Sequence, residues 1–368
     1  MKLKVAIITS MGKPPYLGGI ENVVDTLINS ALKNTYTFKI FDTFRTADPK
    51  RKTFEKAQFA FKLAFLCGSF LLSYKPALVH IHFCSNNDFF KHAICLLMSR
   101  IFGTKTIFHL HGGSFDKFYF DSSPLTRMIV HFVFRTPHRV IALSEYWAKF
   151  LSDFVPAERV RVVNNPIDCN KFSCLSNLKK DETKCKILLL GSVGKRKGHF
   201  DALKALPIVL KKYPNVILLF AGPDEFFGAT DELKFIVDQY RLFEKVFFLG
   251  PITGKYKIDM LHSCSMMILP SHGENMPISV MEGMAAKLPV ITSDVGALPE
   301  LLENGRLGML IKAGDYEALA RNIIQLIESP QLAATLSEKA YNKVAAQYDI
   351  KKISADIDEL YKEIMYTT

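Results

Sequence analysis

The sequence predicts an α/β fold built from two doubly wound parallel sheets. Three observations carry that expectation. Short runs of β-branched and other apolar residues recur along the chain, separated by helix-length segments and turn residues. The pattern restarts half-way, where KILLLG (186–191) repeats the character of KVAIIT (4–9). The chain has 368 residues, 49% hydrophobic and 23% charged, which is long for one domain and comfortable for two.

In the first half, KVAIIT reads as a buried strand followed by a glycine-containing loop and a helix from about Ile20 to Lys33. LVHIHF (78–83), KTIFHLHG (105–112) and HRVIALS (138–144) are further strands. A helix over 53–74 with a basic start (Lys50, Arg51, Lys52) and another over 145–151 separate them. RVRVVNNPIDCNKF (159–172) is a strand leaving into a turn-rich loop. In the second half the strands are KILLLG, NVILLFAG (215–222), KVFFLG (245–250), MMILP (266–270), PVITSD (289–294) and GMLIK (308–312). The chain ends on an amphipathic helix with Ile353, Ile357, Leu360 and Ile364 on one stripe. The domains are therefore expected at 1–172 and 173–349.

Composition excludes several classes. The seven cysteines are odd in number and lack CxxC spacing, so they read as small apolar fillers in a reducing cytosol. The apolar run in MKLKVAIITS ends after five positions, as a buried strand does and an export signal does not. The longest apolar stretch, FAFKLAFLCGSFLL (59–72), has 14 residues and contains Lys62, short of a bilayer span. Residues 1–172 hold 23 Lys and Arg against 12 Asp and Glu, whereas 173–368 hold 24 of each. The whole net charge of +11 thus lies in the first half, which should face something anionic. No nucleic-acid-binding motif accompanies it, so an anionic membrane or a phosphorylated lipid is the expected partner.

Ligands of open α/β sheets bind beyond the carboxyl ends of strands. GSVGKRKG (191–198) sits there, with Lys195, Arg196 and Lys197 at a helix start where free amides favour anions. It lacks Walker A spacing, and no GxGxxG follows the first strand, where the loop reads SMGKPPYLGGIE. SHGENMPISVMEG (271–283) places Glu274 before a helix start at Pro277 and Glu282 inside an apolar stretch. An acid among core residues suggests a carboxylate that grips ligand hydroxyls. A histidine at a strand end is usually structural, and His80, His82 and His109 are read so. His111, beside Gly112 and Gly113, is singled out for function. His272, beside Glu274, is a further sugar contact to consider.

Glu–seven residues–Glu, then MAAKLPVITSDVGALPELL and GRLGMLI, resembles the donor site of retaining glycosyltransferase family 4. LGSVGKRKG, LLFAGP, VFFLGPITG and GDYEALA extend the resemblance over most of the second half. Gly18-Gly19, FHLHGGSF, VIALSE and NPID carry it more thinly through the first. The resemblance implies the GT-B fold, two facing Rossmann-like domains with a C-terminal helix (about 350–368) returning to the first.

It also implies roles. Glu282 would hold the ribose hydroxyls, and Glu274 the donor sugar. His111 would stand beside that sugar. The backbone of Asn275, Met276, Pro277 and Ile278 would meet the diphosphate with Gly19, Lys195, Arg196 and Lys197. Ile252 would pack on the nucleobase. Ser192 stands where many members carry arginine, and Pro277 where a glycine is frequent, which removes one amide. Cations and helix starts would stabilise the departing nucleoside diphosphate. No Asp-x-Asp motif occupies a strand end, so neither a metal nor another cofactor is expected.

Lys56, Lys62 and the residues Arg45 and 50–52 flank FAFKLAFL. Lys117, Arg127, Arg135 and Arg139 interleave with Phe115, Phe118, Tyr119, Phe120, Phe132 and Phe134. Basic and aromatic residues together suit a membrane interface. The expected activity is transfer of a hexose or N-acetylhexosamine, most simply UDP-linked, to a polyprenyl-diphosphate saccharide in bacterial capsule, exopolysaccharide or lipopolysaccharide O-antigen synthesis. The enzyme would be cytoplasmic and peripheral on the inner face of the plasma membrane. The rivals are a sugar-nucleotide epimerase of the same build and a non-catalytic partner subunit.

Overall fold

The structure is a computed structural model and describes residues 2–12, 18–43, 53–173 and 184–366. The chain divides into two compact units, Met1–Pro166 with Ile350–Thr368, and Ile167–Asp349.

In the first unit the elements run β1 (Leu3–Thr9), α1 (Gly19–Ile28), α2 (Leu32–Thr35), β2 (Tyr36–Asp42), α3 (Thr53–Tyr74), β3 (Leu78–Phe83) and α4 (Asn87–Ile101). They continue through β4 (Lys105–Leu110), α5 (Phe115–Phe120), α6 (Pro124–Phe134), β5 (Arg139–Ala142), α7 (Glu145–Leu151) and β6 (Val160–Val162). The sheet is parallel in the order β2-β1-β3-β4-β5-β6. β2 was not expected. It is an edge strand whose exposed Thr37 alternates with half-buried Phe38, so it lacks the continuous apolar run of a central strand. The helix expected over 20–33 breaks after Ile28 and resumes as α2.

The second unit holds α8 (Cys169–Ser173), β7 (Cys185–Leu190), α9 (His199–Leu210), β8 (Val216–Ala221), α10 (Ala229–Gln239), β9 (Val246–Gly250), α11 (Gly254–Ser263) and β10 (Met266–Leu269). It continues with α12 (Ile278–Ala285), β11 (Val290–Ser293), α13 (Leu298–Leu301), β12 (Met309–Ile311), α14 (Tyr316–Glu328) and α15 (Pro330–Gln347). Its parallel sheet has the order β12-β11-β10-β7-β8-β9. Two six-stranded parallel sheets with surrounding helices are the predicted fold class.

The last helix, α16 (Ile350–Tyr366), belongs to the first unit. Ile353, Ile357, Leu360 and Ile364 are buried, as the stripe predicted. Polar anchors fix its register. Tyr36 donates to Asp358 (2.7 Å), and Arg139 and Arg161 both bond Glu363 (3.0 Å each). Arg139 is therefore a structural ion-pair partner and not part of an outward basic face.

α3 has the bounds expected for it, 53–74, but the expectation set the apolar stretch within it short of a bilayer span. By length and composition its segment Phe54–Tyr74 is long and apolar enough to cross a membrane. One stripe, Leu63, Cys67, Leu71 and Tyr74, is buried in the unit. The other, Phe54, Phe61, Phe65 and Leu72, is exposed. α6 likewise buries Val130, Val133 and Phe134 and exposes Leu125, Met128 and Phe132. Phe115 and Phe134, expected at an interface, belong instead to a buried aromatic cluster with Phe83, Phe89 and Phe108. Arg45 and residues 50–52 lie outside the described residues.

Candidate active site

The second unit assembles its polar residues at the carboxyl ends of β7, β8 and β10. After β7 the chain passes Gly191 and Ser192 and turns at Lys195–Gly198 into α9. Gly198 has φ +79°, and a Cβ there would fall 2.0 Å from the Pro270 carbonyl oxygen, so only glycine fits this approach to the β10 loop. The stem of Lys197 lies across Gly191, where any side chain would crowd it at 3.2 Å. That path delivers its ammonium 2.6 Å from Glu274 Oε1.

Glu274 is buried, 5% exposed, and its side chain caps no helix. Arg196 Nη1 stands 3.7 Å from the same oxygen and donates from Nε to Glu225 Oε1 at 2.8 Å. Arg196 Nη2 also donates to Ser192 Oγ (3.1 Å), so its guanidinium covers the position where an arginine was expected. Gly296, φ +56°, backs the Glu274 backbone so closely that a Cβ would stand 1.9 Å from its carbonyl oxygen. The loop carrying Glu274 is thus held on both sides.

Pro277 is the N-cap of α12, in extended conformation, and contributes no amide. Asn275 and Met276 are buried before it. Glu282 lies within the helix, 7% exposed, and is paired with Lys257 of α11. Three cations, Arg196, Lys197 and Lys257, thus meet three carboxylates, Glu225, Glu274 and Glu282. Removing one member of such a buried pair strands the other, at roughly 3–5 kcal/mol. Glu225 and Lys257 were not legible in the sequence, since each lies tens of residues from its partner.

Lys195 is not drawn in. It is largely exposed, 3.7 Å from Glu232 and over the Phe200 ring. Ile252 is buried in the turn between β9 and α11, the helix that supplies Lys257.

In the first unit, Gly19 opens α1 after Gly18, whose amide donates to Glu21 Oε2 (2.8 Å). His111 follows β4, and its Nε2 is hydrogen-bonded to His82 Nδ1 at 2.9 Å. His80, His82, His109 and His111 form one row, since β3 and β4 pair His82 with His109 and put alternate residues on one face. His80 bonds His109 (3.1 Å) through one nitrogen and the Tyr361 hydroxyl of α16 (2.8 Å) through the other. Burial lowers all four imidazoles, to about 3 for His80 and His111, and therefore holds them neutral. Nitrogens of His80, His82 and His109 lie within 4.8 Å of one another, a spacing that a metal could address. Both His80 nitrogens are already bonded, so a cation would have to break the row.

A sequence model described as Glycosyltransferase Family 4 matches residues 17–171, and one described as Glycosyl transferases group 1 matches 175–343. The chain belongs to the GT-B glycosyltransferases of family 4. The chain is 24% identical over 298 residues to the N-acetyl-alpha-D-glucosaminyl L-malate synthase of Bacillus anthracis, covering 78% of this chain and 75% of that protein. It is 24% identical over 205 residues to the glycogen synthase of Mycobacterium tuberculosis (55% and 48%). It is 25% identical over 209 residues to the capsular polysaccharide biosynthesis glycosyltransferase CapM of Staphylococcus aureus (55% and 54%). The matched region thus spans about half the length of the latter two relatives.

Among solved structures, the sucrose-phosphate synthase of Thermosynechococcus elongatus superposes with a TM-score of 0.82 at 19% identity over all of both chains. Anabaena HepE in complex with UDP and glucose gives 0.77 at 20% identity, over 98% of this chain and all of that one. These neighbours share the GT-B fold with this family-4 chain.

Proposed function

We propose that the protein is a retaining glycosyltransferase that moves a hexose or N-acetylhexosamine from a UDP-sugar to a lipid-linked saccharide. The observation that carries this reading is the pair of buried glutamates in the β10 loop and α12, each held by a lysine. Buried carboxylates that serve packing alone are unfavourable, whereas carboxylates that accept ligand hydroxyls repay their burial when the ligand arrives. Glu282 takes the ribose, Glu274 the transferred sugar, and Ile252 the base. Arg196 and Lys197, with the backbone of residues 275–278, take the diphosphate. Their charge builds most of its stabilising effect as the leaving group departs, without a metal. UDP is favoured because HepE, of the same fold, was solved with UDP and glucose.

The acceptor reading is a polyprenyl-diphosphate saccharide on the cytoplasmic face of a bacterial membrane, for capsule, exopolysaccharide or O-antigen. CapM, a capsule enzyme by name, supports it, as do the outward apolar stripes of α3 and α6 beside Lys56, Lys62 and Arg135. The test is transfer from labelled UDP-glucose and UDP-N-acetylglucosamine to extracted lipid-linked saccharide, with the anomeric configuration of the product read by NMR. An α-linked product from the α-linked donor is expected. A β-linked product would overturn retention, and free epimerised nucleotide sugar would make the protein an epimerase.

A further inference from the structure

We infer that His272, held by the buried carboxylate of Asp201, selects the transferred sugar by accepting a hydrogen bond from one of its hydroxyls. The inference rests on the donor-site reading above. Asp201 lies in the first turn of α9, 8% exposed, and its Oδ2 stands 2.7 Å from His272 Nε2. A carboxylate so buried needs a partner.

His272 itself is two residues before Glu274. Its backbone amide donates to the carbonyl of Arg196 (2.8 Å), which ties it to the turn that carries Arg196 and Lys197. Its side chain is 47% exposed, and the ring stands beside Gly314. An ionised carboxylate only accepts, so it selects the imidazole tautomer with the proton on Nε2. That leaves Nδ1 as a bare acceptor, with no partner among the described residues. The dyad therefore offers one oriented lone pair within two residues of Glu274. A sugar hydroxyl donates to such a nitrogen, and a diphosphate, which has no proton to give at neutral pH, does not.

Asp201 is then a positioning residue. In Asp201→Asn the amide can donate to Nε2, which moves the imidazole proton to Nδ1 and turns the acceptor into a donor. The geometry predicts that this variant loses selection as His272→Ala does, although it keeps the imidazole.

The experiment measures affinity for UDP against UDP-glucose and UDP-N-acetylglucosamine, with the corresponding GDP and ADP pairs, in wild type, His272→Ala, His272→Asn and Asp201→Asn. The expected result is unchanged nucleoside-diphosphate affinity and about tenfold weaker binding of the sugar conjugate in His272→Ala and Asp201→Asn. His272→Asn, which keeps an acceptor oxygen, should recover part of the loss. Nitrogen-15 NMR of His272 should show the proton on Nε2 in wild type and on Nδ1 in Asp201→Asn. Equal losses for nucleotide and conjugate would overturn the inference and leave the dyad a structural clasp. A loss confined to the acceptor KM would also overturn it, by giving the hydroxyl to the acceptor. If wild type binds no nucleotide, the donor-site reading fails first, and the inference with it.

Discussion

The two units bury polar groups in opposite ways. The first, which carries +10 of the chain's net charge of +11, buries neutral imidazoles that bond one another and Tyr361. The second has a net charge of only +1 and buries ions in opposed pairs, Lys197 with Glu274 and Lys257 with Glu282. A neutral row costs little to keep dry, but it resists protonation. An ion pair keeps two charges ready for a ligand that can take over one of them. The difference sets a neutral, hydrogen-bonded row in the first unit against charges in the second that, on the proposed reading, an anionic, hydroxyl-rich ligand would use.

Acid should expose the contrast most strongly. His80 and His111 are lowered by burial to about 3, against an ordinary value near 6.5, and His82 and His109 are lowered well below it. Above 6.5 neither folded nor unfolded chain holds these protons. Below it the unfolded chain takes them up first, so stability falls as pH drops from about 6.5 toward 3. Between pH 7 and 5 the loss is about 2 kcal/mol per histidine. Among the described residues of the second unit only His199 is lowered in this way, also to about 3. The single tryptophan, Trp147, is buried in the first unit, so its fluorescence reports that unit alone. The first unit should unfold at a higher pH than the second, whose transition is followed by hydrogen exchange. Simultaneous transitions would break the comparison.

Next in size, Glu274→Ala should lower kcat about a hundredfold with little change in donor KM, as steady-state kinetics with a UDP-sugar would show. Glu282→Ala should instead weaken nucleotide binding about ten- to a hundredfold, the range for hydrogen bonds to a charged group. Smaller again, Tyr361→Phe leaves His80 Nδ1 without its partner. It should destabilise the first unit by about 1–3 kcal/mol in urea titration while leaving nucleotide affinity intact. Smallest, Lys195→Ala should change stability by less than about 0.5 kcal/mol and nucleotide affinity by less than twofold, because its ammonium is outward and its pairing exposed.

Much of the fold was legible because central parallel strands are continuous apolar runs, such as KILLLG and VILLFA. β2 escaped because an edge strand needs only one apolar face. The bounds of α3 were legible, but its membrane-length apolar character was not, because the expectation counted only the 14 residues of 59–72. In the site, the two glutamates were visible as acids in apolar surroundings. Their lysines were only partly so, since Lys257 of α11 meets Glu282 of α12 across 25 residues of sequence, and no local pattern encodes that. The Asp201–His272 dyad was hidden for the same reason, at 71 residues of separation. The histidine row was visible as alternation, yet its hydrogen bonds depend on strand register and on a helix from the far end of the chain.

The most direct test of the claim that the second unit's paired glutamates form a nucleotide-sugar site is calorimetric titration of UDP, with GDP and ADP alongside, into wild type and Glu282→Ala. The account predicts saturable binding of one nucleotide to wild type, UDP by preference, and a loss of about tenfold or more in the variant. Equal binding to both proteins would contradict it, because the ribose would then be held elsewhere and the buried Lys257–Glu282 pair would be no more than a clasp between α11 and α12.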